Sequence, residues 1–160
     1  MIQIPSDSAP SAALPSPVSG FAGRAAALLA AATRLVTTLE AGRQIAASEL
    51  RAAMNHAFGG SDAEGAWDWK TAYDACEAAV ILFLRKYGRT VLGRSPASSL
   101  ALIQRIATLL PTHTRRSESG QAFQQFSTPP GLAFVASIAA AMRPGDRVLE
   151  PSAGTGMLAI

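Results

Sequence analysis

The sequence has few of the residues that form disulfides or metal centres. It contains one cysteine, Cys76, and two histidines, His56 and His113, which lie far apart along the chain. A single cysteine excludes an intramolecular disulfide, and two isolated histidines do not predict a metal site. Cys76 falls within an apolar helical stretch, so we interpret it as an inert core thiol rather than a catalytic nucleophile.

Charged runs, membrane spans and targeting signals are also lacking. The net charge is only +3, which a solvated surface explains as well as nucleic-acid binding does. The first residues contain no basic region before an apolar run, and Arg24 and Arg34 interrupt the apolar stretch at residues 21–39. We therefore expect a cytoplasmic protein that does not enter a membrane.

Composition divides the chain into three parts. Residues 1–20 contain four prolines among serines and alanines, which predicts a disordered tail. Residues 21–111 carry apolar side chains at helical spacing and predict an α-helical module. Its helices are expected at 21–40, at 48–57 with Ser48 as the cap, at 66–87 and at 97–110, with a linker at 88–96. Trp67 and Trp69 are more simply interpreted as anchors of the third helix in its bundle than as a partner-binding pair.

The third part, residues 112–160, contains a glycine-rich stretch at residues 150–156, which we call the glycine segment. Residues 147–149 predict a short strand after the turn pair Gly145-Asp146, and helical residues resume at Met157. Gly154 and Gly156 can adopt positive φ and carry no Cβ, so a ligand can approach the backbone closely. A helix N-terminus behind them would favour an anionic group.

Two stretches together are similar to class I S-adenosylmethionine (SAM) methyltransferases. The glycine segment reads Glu-Pro-Ser-Ala-Gly-Thr-Gly and resembles motif I of the enzymes that methylate DNA amines, while Phe-Ser-Thr-Pro-Pro at residues 126–130 resembles their motif X. The apolar residues Leu132, Val135, Ile138 and Met142 follow at helical spacing, and Ser127 or Thr128 is suited to cap that helix. The resemblance implies that SAM is bound by Phe126, Ser127, Thr128, Pro129, Glu150, Pro151, Ser152, Ala153, Gly154, Thr155 and Gly156.

A wider resemblance covers residues 21–160. The Trp-Asp-Trp-Lys helix start and the Leu-Leu-Pro-Thr-x-Thr-Arg-Arg-Ser-Glu run look like the N-terminal region of bacterial, plasmid and phage proteins of the strawberry notch-like group. Those proteins join a methyltransferase to a downstream DEAD/DEAH-type helicase. The resemblance implies a DNA partner, for which Arg115 and Arg116 would contact phosphates, although a solvated linker is an equally good interpretation of this pair.

The implied reaction is methylation of the adenine N6 amine on a base that is flipped out of the duplex. The Asn/Asp-Pro-Pro-Tyr/Phe clamp that would hold the amine is missing from the sequence, so no catalytic residue is assigned. A phosphate loop of the form Gly-x-x-x-x-Gly-Lys-Ser/Thr is also missing, so the sequence gives no basis for ATP use.

The predicted fold class is an α-helical N-terminal module followed by the truncated start of an α/β Rossmann-like methyltransferase domain at residues 112–160. Since one strand cannot form a sheet, we expect a front piece of a longer protein or a truncated reading frame. Two alternatives remain. Residues 21–111 would serve as a protein- or DNA-interaction module without catalytic activity, or the Gly-x-Gly pattern would belong to a nicotinamide dehydrogenase, which gives no reason for motif X.

Overall fold

The computed structural model describes residues 20–93, 95–112, 128–143, 145–151 and 154–157. Within these ranges all regular secondary structure is helical, in five α-helices and a 3₁₀ turn at Met157. The helices in chain order are α1 (Phe21–Glu40), α2 (Ala47–Phe58), α3 (Trp69–Leu92), α4 (Pro96–Ala107) and α5 (Pro130–Ala139). None of the described helices combines the length and apolar character that a membrane span needs.

The core lies where α1 packs against α2 and α3. Small residues of α1, including the fully buried Ala31 and Ala32, face these neighbours, and side chains this small allow helix axes to approach closely. Larger side chains fill the centre of the interface. Leu35 of α1, Met54 of α2 and Val80 of α3 are at most 1% exposed, and each contributes roughly 1.5–3 kcal/mol by leaving water.

Trp67 lies in the connection between α2 and α3 and packs into the core. Its side chain is 2% exposed, and its indole N–H donates to Asn55 Oδ1 at 2.9 Å and to the Gly60 carbonyl at 3.1 Å. The ring meets Trp69 edge-on, with centroids 5.6 Å apart. The interpretation of Trp67 as an anchor of the bundle is therefore confirmed.

Two helices, α3 and α4, begin at a residue whose polar side chain accepts a hydrogen bond from an amide of the first turn. Asp68 caps α3 by accepting from the Thr71 amide at 2.7 Å, and Ser95 caps α4 just before Pro96. The predicted Ser48 cap is wrong, because α2 begins after Ala46 with no side-chain cap. The predicted linker at 88–96 is also wrong in extent, since α3 continues through Gly88 to Leu92.

The fourth helix is tied to the bundle by its C-terminal end. The Leu109 carbonyl accepts from the Ile45 amide at 2.8 Å, which joins the end of α4 to the α1–α2 connection. Ile106 of α4 is 5% exposed and belongs to the same core cluster as the residues of α1 to α3. Residues of all four helices, α1 to α4, thus belong to one core cluster.

The predicted α/β Rossmann-like start is not observed. Residues 147–149 form no strand, and Val148 and Leu149 are 63% and 86% exposed. The physical reason is that an extended segment needs a neighbouring strand to pair its N–H and C=O groups, and no other strand exists in the described part of the chain. The fold class of these described residues is all-α.

The helix predicted after motif X is present as α5, but its apolar stripe is not buried. Leu132, Val135, Ile138 and Met142 are 40–62% exposed, and Ala133 is the one residue of α5 that is buried. α5 contacts α4 through its first turn instead. A Cβ built on Gly131 would lie 3.5 Å from both Leu100 and Gln104.

Candidate functional site

The glycine segment is the candidate site, and its described residues are Glu150, Pro151 and residues 154–156. Gly154 has φ 52° and Gly156 has φ 91°, both in the left-handed region that favours glycine. A Cβ built on Gly156 would meet nothing within 4 Å. The space beside the Gly156 backbone is therefore open on the side where a Cβ would stand. Ser152 and Ala153, the other predicted SAM-binding residues of this segment, lie outside the described residues.

Thr155, between the two glycines, is anchored to α3. Its hydroxyl donates to Glu77 Oε2 at 2.9 Å, across 78 residues of sequence. Glu77 is 7% exposed although it carries a carboxyl group. A hydrogen bond to a carboxylate is worth about 1.5–3 kcal/mol, roughly twice a neutral one. This contact holds the end of the glycine segment, between Gly154 and Gly156, against α3.

Met157 supplies a second, apolar anchor directly after the segment. Its side chain is 6% exposed and belongs to the same core cluster as the buried residues of α1 to α3. Met157 itself lies in a 3₁₀ turn, and the helix predicted to start there falls on residues outside the described ranges. Residues 154–157, which we call the glycine loop, are therefore attached to the bundle by one polar and one apolar side chain.

Cys76 precedes Glu77 and is chemically quiet. The side chain is fully buried, and burial, with a smaller contribution from the negative charge of Glu77, raises the pKa of the thiol to about 12. Because the thiolate is the nucleophilic form, this environment does not suit a catalytic cysteine. The interpretation of Cys76 as a core thiol agrees with its burial.

Thr128, Pro129 and Pro130 are the described part of the predicted motif X, whereas Phe126 and Ser127 fall outside the described residues. Pro129 is the N-cap of α5 and makes no side-chain cap hydrogen bond, so the predicted cap at Thr128 is wrong, and the alternative cap, Ser127, lies outside the described residues. The described contacts anchor α5 on α4 and the glycine loop on α3. The possible DNA contacts Arg115 and Arg116 also lie outside the described residues.

Glu77 was not identified from the sequence, although a signal was present. It follows the apolar positions Tyr73 and Cys76 and precedes Val80, all of which are buried in the folded protein. A carboxyl group on the core-facing side of a helix requires a polar partner. Nothing in the sequence identifies that partner as Thr155.

Metal chemistry has no support among the described residues, where no three His, Cys, Asp or Glu side chains converge on a point that could hold an ion. The glycine loop is included in this statement. Its described contact with a carboxyl group is the hydrogen bond from Thr155 to Glu77.

Comparison of the chain with protein-family models gives no match. Comparison with curated proteins and with solved structures gives none either. The resemblance to the SAM methyltransferases therefore stays a prediction from the sequence motifs, and a functional proposal depends on those motifs and on the contacts of the glycine loop.

Proposed function

We propose that this chain is the N-terminal part of a SAM-dependent DNA adenine-N6 methyltransferase and that it contributes part of the SAM site. The observation that carries the proposal is the glycine loop. Its two glycines adopt positive φ and carry no Cβ, which allows a ligand to approach the backbone, and the loop is fixed to α3 through Thr155.

The chemistry of the segment fits SAM in two respects. Gly156 is open on the side where a Cβ would stand, which leaves room for a ligand against the backbone. Glu150 is half-buried at the start of the segment, and its carboxyl group suits the α-ammonium group of SAM. When bound, SAM supplies the sulfonium methyl group that is transferred.

The catalytic residues belong, in this proposal, to another part of the intact protein. Holding the adenine amine in line with the methyl group needs a polar clamp, because orientation provides much of the rate gain. The sequence has no Asn/Asp-Pro-Pro-Tyr/Phe motif to form that clamp. We expect the chain by itself to bind SAM weakly and to transfer no methyl group. DNA, contacted through Arg115 and Arg116, and a helicase domain in the intact protein are parts of the same proposal.

Titration of the isotopically labelled chain with SAM tests the proposal by NMR. We expect a dissociation constant of roughly millimolar strength, with shifts concentrated at Glu150 and at Gly154 to Gly156. Glu150→Gln should weaken binding because it removes the charge that faces the ammonium group. NAD is the control ligand. Shifts with NAD and none with SAM would support the dehydrogenase alternative and contradict the methyltransferase proposal.

The reading frame provides an independent test. Continuation of the gene past the codon for Ile160 into an Asn/Asp-Pro-Pro-aromatic motif would support the methyltransferase. A stop codon at that point, with a native product of 16.6 kDa, would contradict it.

A helical interaction module is the second candidate function. It is favoured by the shared core of α1 to α4, which a binding module of residues 21–111 would require. Such a module would be indifferent to SAM and would bind a protein or DNA partner through residues 21–111. Affinity capture with a chain ending at Pro111 tests this alternative, because the methyltransferase proposal expects that chain to retain no specific partner.

A further inference from the structure

Glu77 occupies a position where an apolar residue would be expected. Its neighbours on α3, Cys76, Ala79 and Val80, are fully buried, and Glu77 itself is 7% exposed. Removing a carboxyl group from water is costly unless a hydrogen bond compensates, and an apolar residue of similar volume is often at least as stabilising. The presence of an acid therefore calls for an explanation beyond packing.

The hydrogen-bond donor that contacts Glu77 lies in the glycine loop. Thr155 donates its hydroxyl to Glu77 Oε2 at 2.9 Å. Thr155 stands between Gly154 and Gly156, the residue type that loses the most conformational entropy when a loop is ordered. The hydrogen bond of Thr155 therefore restricts a segment whose two glycines would otherwise allow many backbone conformations.

We propose that Glu77 is a positioning residue for the cofactor site: through Thr155 it holds the glycine loop in the conformation that presents the Gly154–Gly156 backbone to SAM. This inference rests on the proposed function. Ordering the loop during folding removes that entropic cost from the binding step, which raises affinity without any contact between Glu77 and the ligand. Met157, the last residue of the glycine loop, is buried in the core cluster and fixes that end of the loop.

The inference makes the helical module a part of the SAM site. α3 carries Glu77 in its middle, and the same helix packs against α1 in the core. A change of Glu77 should consequently alter the cofactor loop while the remainder of the bundle stays folded.

Hydrogen exchange on the full chain tests the positioning role. Thr155→Val removes the hydroxyl and keeps the side-chain shape, whereas Thr155→Ser keeps the hydroxyl. We expect amides 154–157 to exchange about tenfold faster in Thr155→Val, because the loop opens more often once its hydrogen bond to a carboxylate is lost. Thr155→Ser should exchange like the unaltered chain, and amides of α3 should not change in either variant.

Glu77→Gln provides the matched change on the helix. It keeps the volume and an acceptor oxygen but loses the charge, so we expect loop exchange between that of the unaltered chain and that of Thr155→Val. Unchanged exchange of residues 154–157 in both Thr155→Val and Glu77→Gln would overturn the inference. Faster exchange along all of α3 would overturn it too, because Glu77 would then act on the stability of the bundle as a whole.

SAM titration of the same variants separates this inference from the proposed function. If the unaltered chain binds SAM, Glu77→Gln, which changes no residue of the SAM-binding set, should bind SAM several-fold more weakly. Equal affinity of Glu77→Gln and the unaltered chain would overturn the positioning role while leaving the SAM site intact. Absence of SAM binding by the unaltered chain would overturn the proposed function and the SAM-positioning role with it, although loop exchange would still show whether Glu77 orders the loop.

Discussion

Two neighbouring residues of α3 carry chemically reactive groups and are buried for different reasons. Cys76 faces apolar surroundings, where it behaves as a small hydrophobic side chain. Glu77 faces the glycine loop and accepts the Thr155 hydroxyl. Of the two, Glu77 is the residue whose environment points to a specific role, because its burial is compensated by one identified partner.

The Cys76 thiol should resist modification in the folded protein. Burial raises its pKa to about 12, so at about pH 8 only one thiol in roughly ten thousand is ionised, against about a quarter for an unfolded cysteine. We expect negligible reaction with Ellman's reagent under native conditions and complete reaction in denaturant. Rapid release of one equivalent of chromophore from the native protein would contradict the burial of this side chain.

Residue-level prediction succeeded where the deciding partner is close in sequence. An apolar helical context identified Cys76 as a core thiol, and Ser95 before Pro96 indicated where α4 begins. Ser48 was wrongly chosen as a cap, since several residues near a helix start can satisfy the same pattern and Ala46 holds the cap position. Glu77 was missed because its partner, Thr155, lies 78 residues away.

At the level of elements, the strongest local determinant is the start of α3. Asp68 Oδ1 accepts from the Thr71 amide at 2.7 Å and from the Thr71 hydroxyl at 3.0 Å. The bond from the amide satisfies a backbone donor that the first turn of a helix leaves without a partner, and the bond from the hydroxyl adds to it. The sequence indicated a helix here but placed its start at residue 66, two residues before this cap.

Asp68→Ala should destabilise the protein by about 1 kcal/mol, the usual cost of losing a side-chain N-cap. Asp68→Asn is the matched control, because it retains an acceptor oxygen and should cost much less. Urea unfolding followed by circular dichroism measures both. Equal destabilisation by Ala and Asn would indicate that the charge of Asp68, rather than its capping hydrogen bond, matters at this site.

α5 and residues 147–149 show why periodicity could not predict burial. The spacing of Leu132, Val135 and Ile138 correctly indicated a helix, since the apolar period is a local property. What covers an apolar stripe depends on the neighbouring elements, and in the described residues α5 contacts α4 by its first turn instead. A strand depends on its neighbours still more, because its backbone hydrogen bonds are all made to another segment.

For the molecule as a whole, a polar contact on the surface also joins α1 to α3. Glu40 Oε1, at the end of α1, accepts from Lys86 Nζ at 2.7 Å and from the Tyr87 hydroxyl at 3.1 Å. The hydrogen bond from Lys86, followed by that from Tyr87, lowers the pKa of Glu40 below its ordinary value of 4.5.

This contact should contribute a small acid-sensitive stabilisation. Because the pKa of Glu40 is lowered in the folded state, the contribution is present above pH 4.5 and is lost as the pH falls through the folded value. Glu40→Gln should therefore show a shallower loss of stability on acidification than the unaltered chain. Urea midpoints across that pH range measure the effect, and Lys86→Met should reproduce it. Since the pair is exposed, high salt should reduce the difference, and a difference that persists in high salt would contradict this origin.

The broadest prediction concerns the boundary between the helical module and the segment that follows residue 112. Outside residues 20–112, the described core cluster contains only Ala133 and Met157. A chain of residues 20–112 should therefore fold by itself, with helical circular dichroism and a cooperative urea transition. Loss of Met157 from the core should lower the free energy of unfolding by about 1.5–3 kcal/mol.

Met157→Ala in the full chain is the matched control for that loss, because it removes the apolar anchor and leaves Thr155 in place. Its destabilisation should account for the part of the difference that the Met157 side chain contributes, and the remainder should come from the lost hydrogen bond between Thr155 and Glu77. A shortened chain without a cooperative transition would show that the segment after residue 112 is required for the bundle to fold. The helical module would then not be a separate domain, and the glycine loop would contribute to folding as well as to the proposed SAM site.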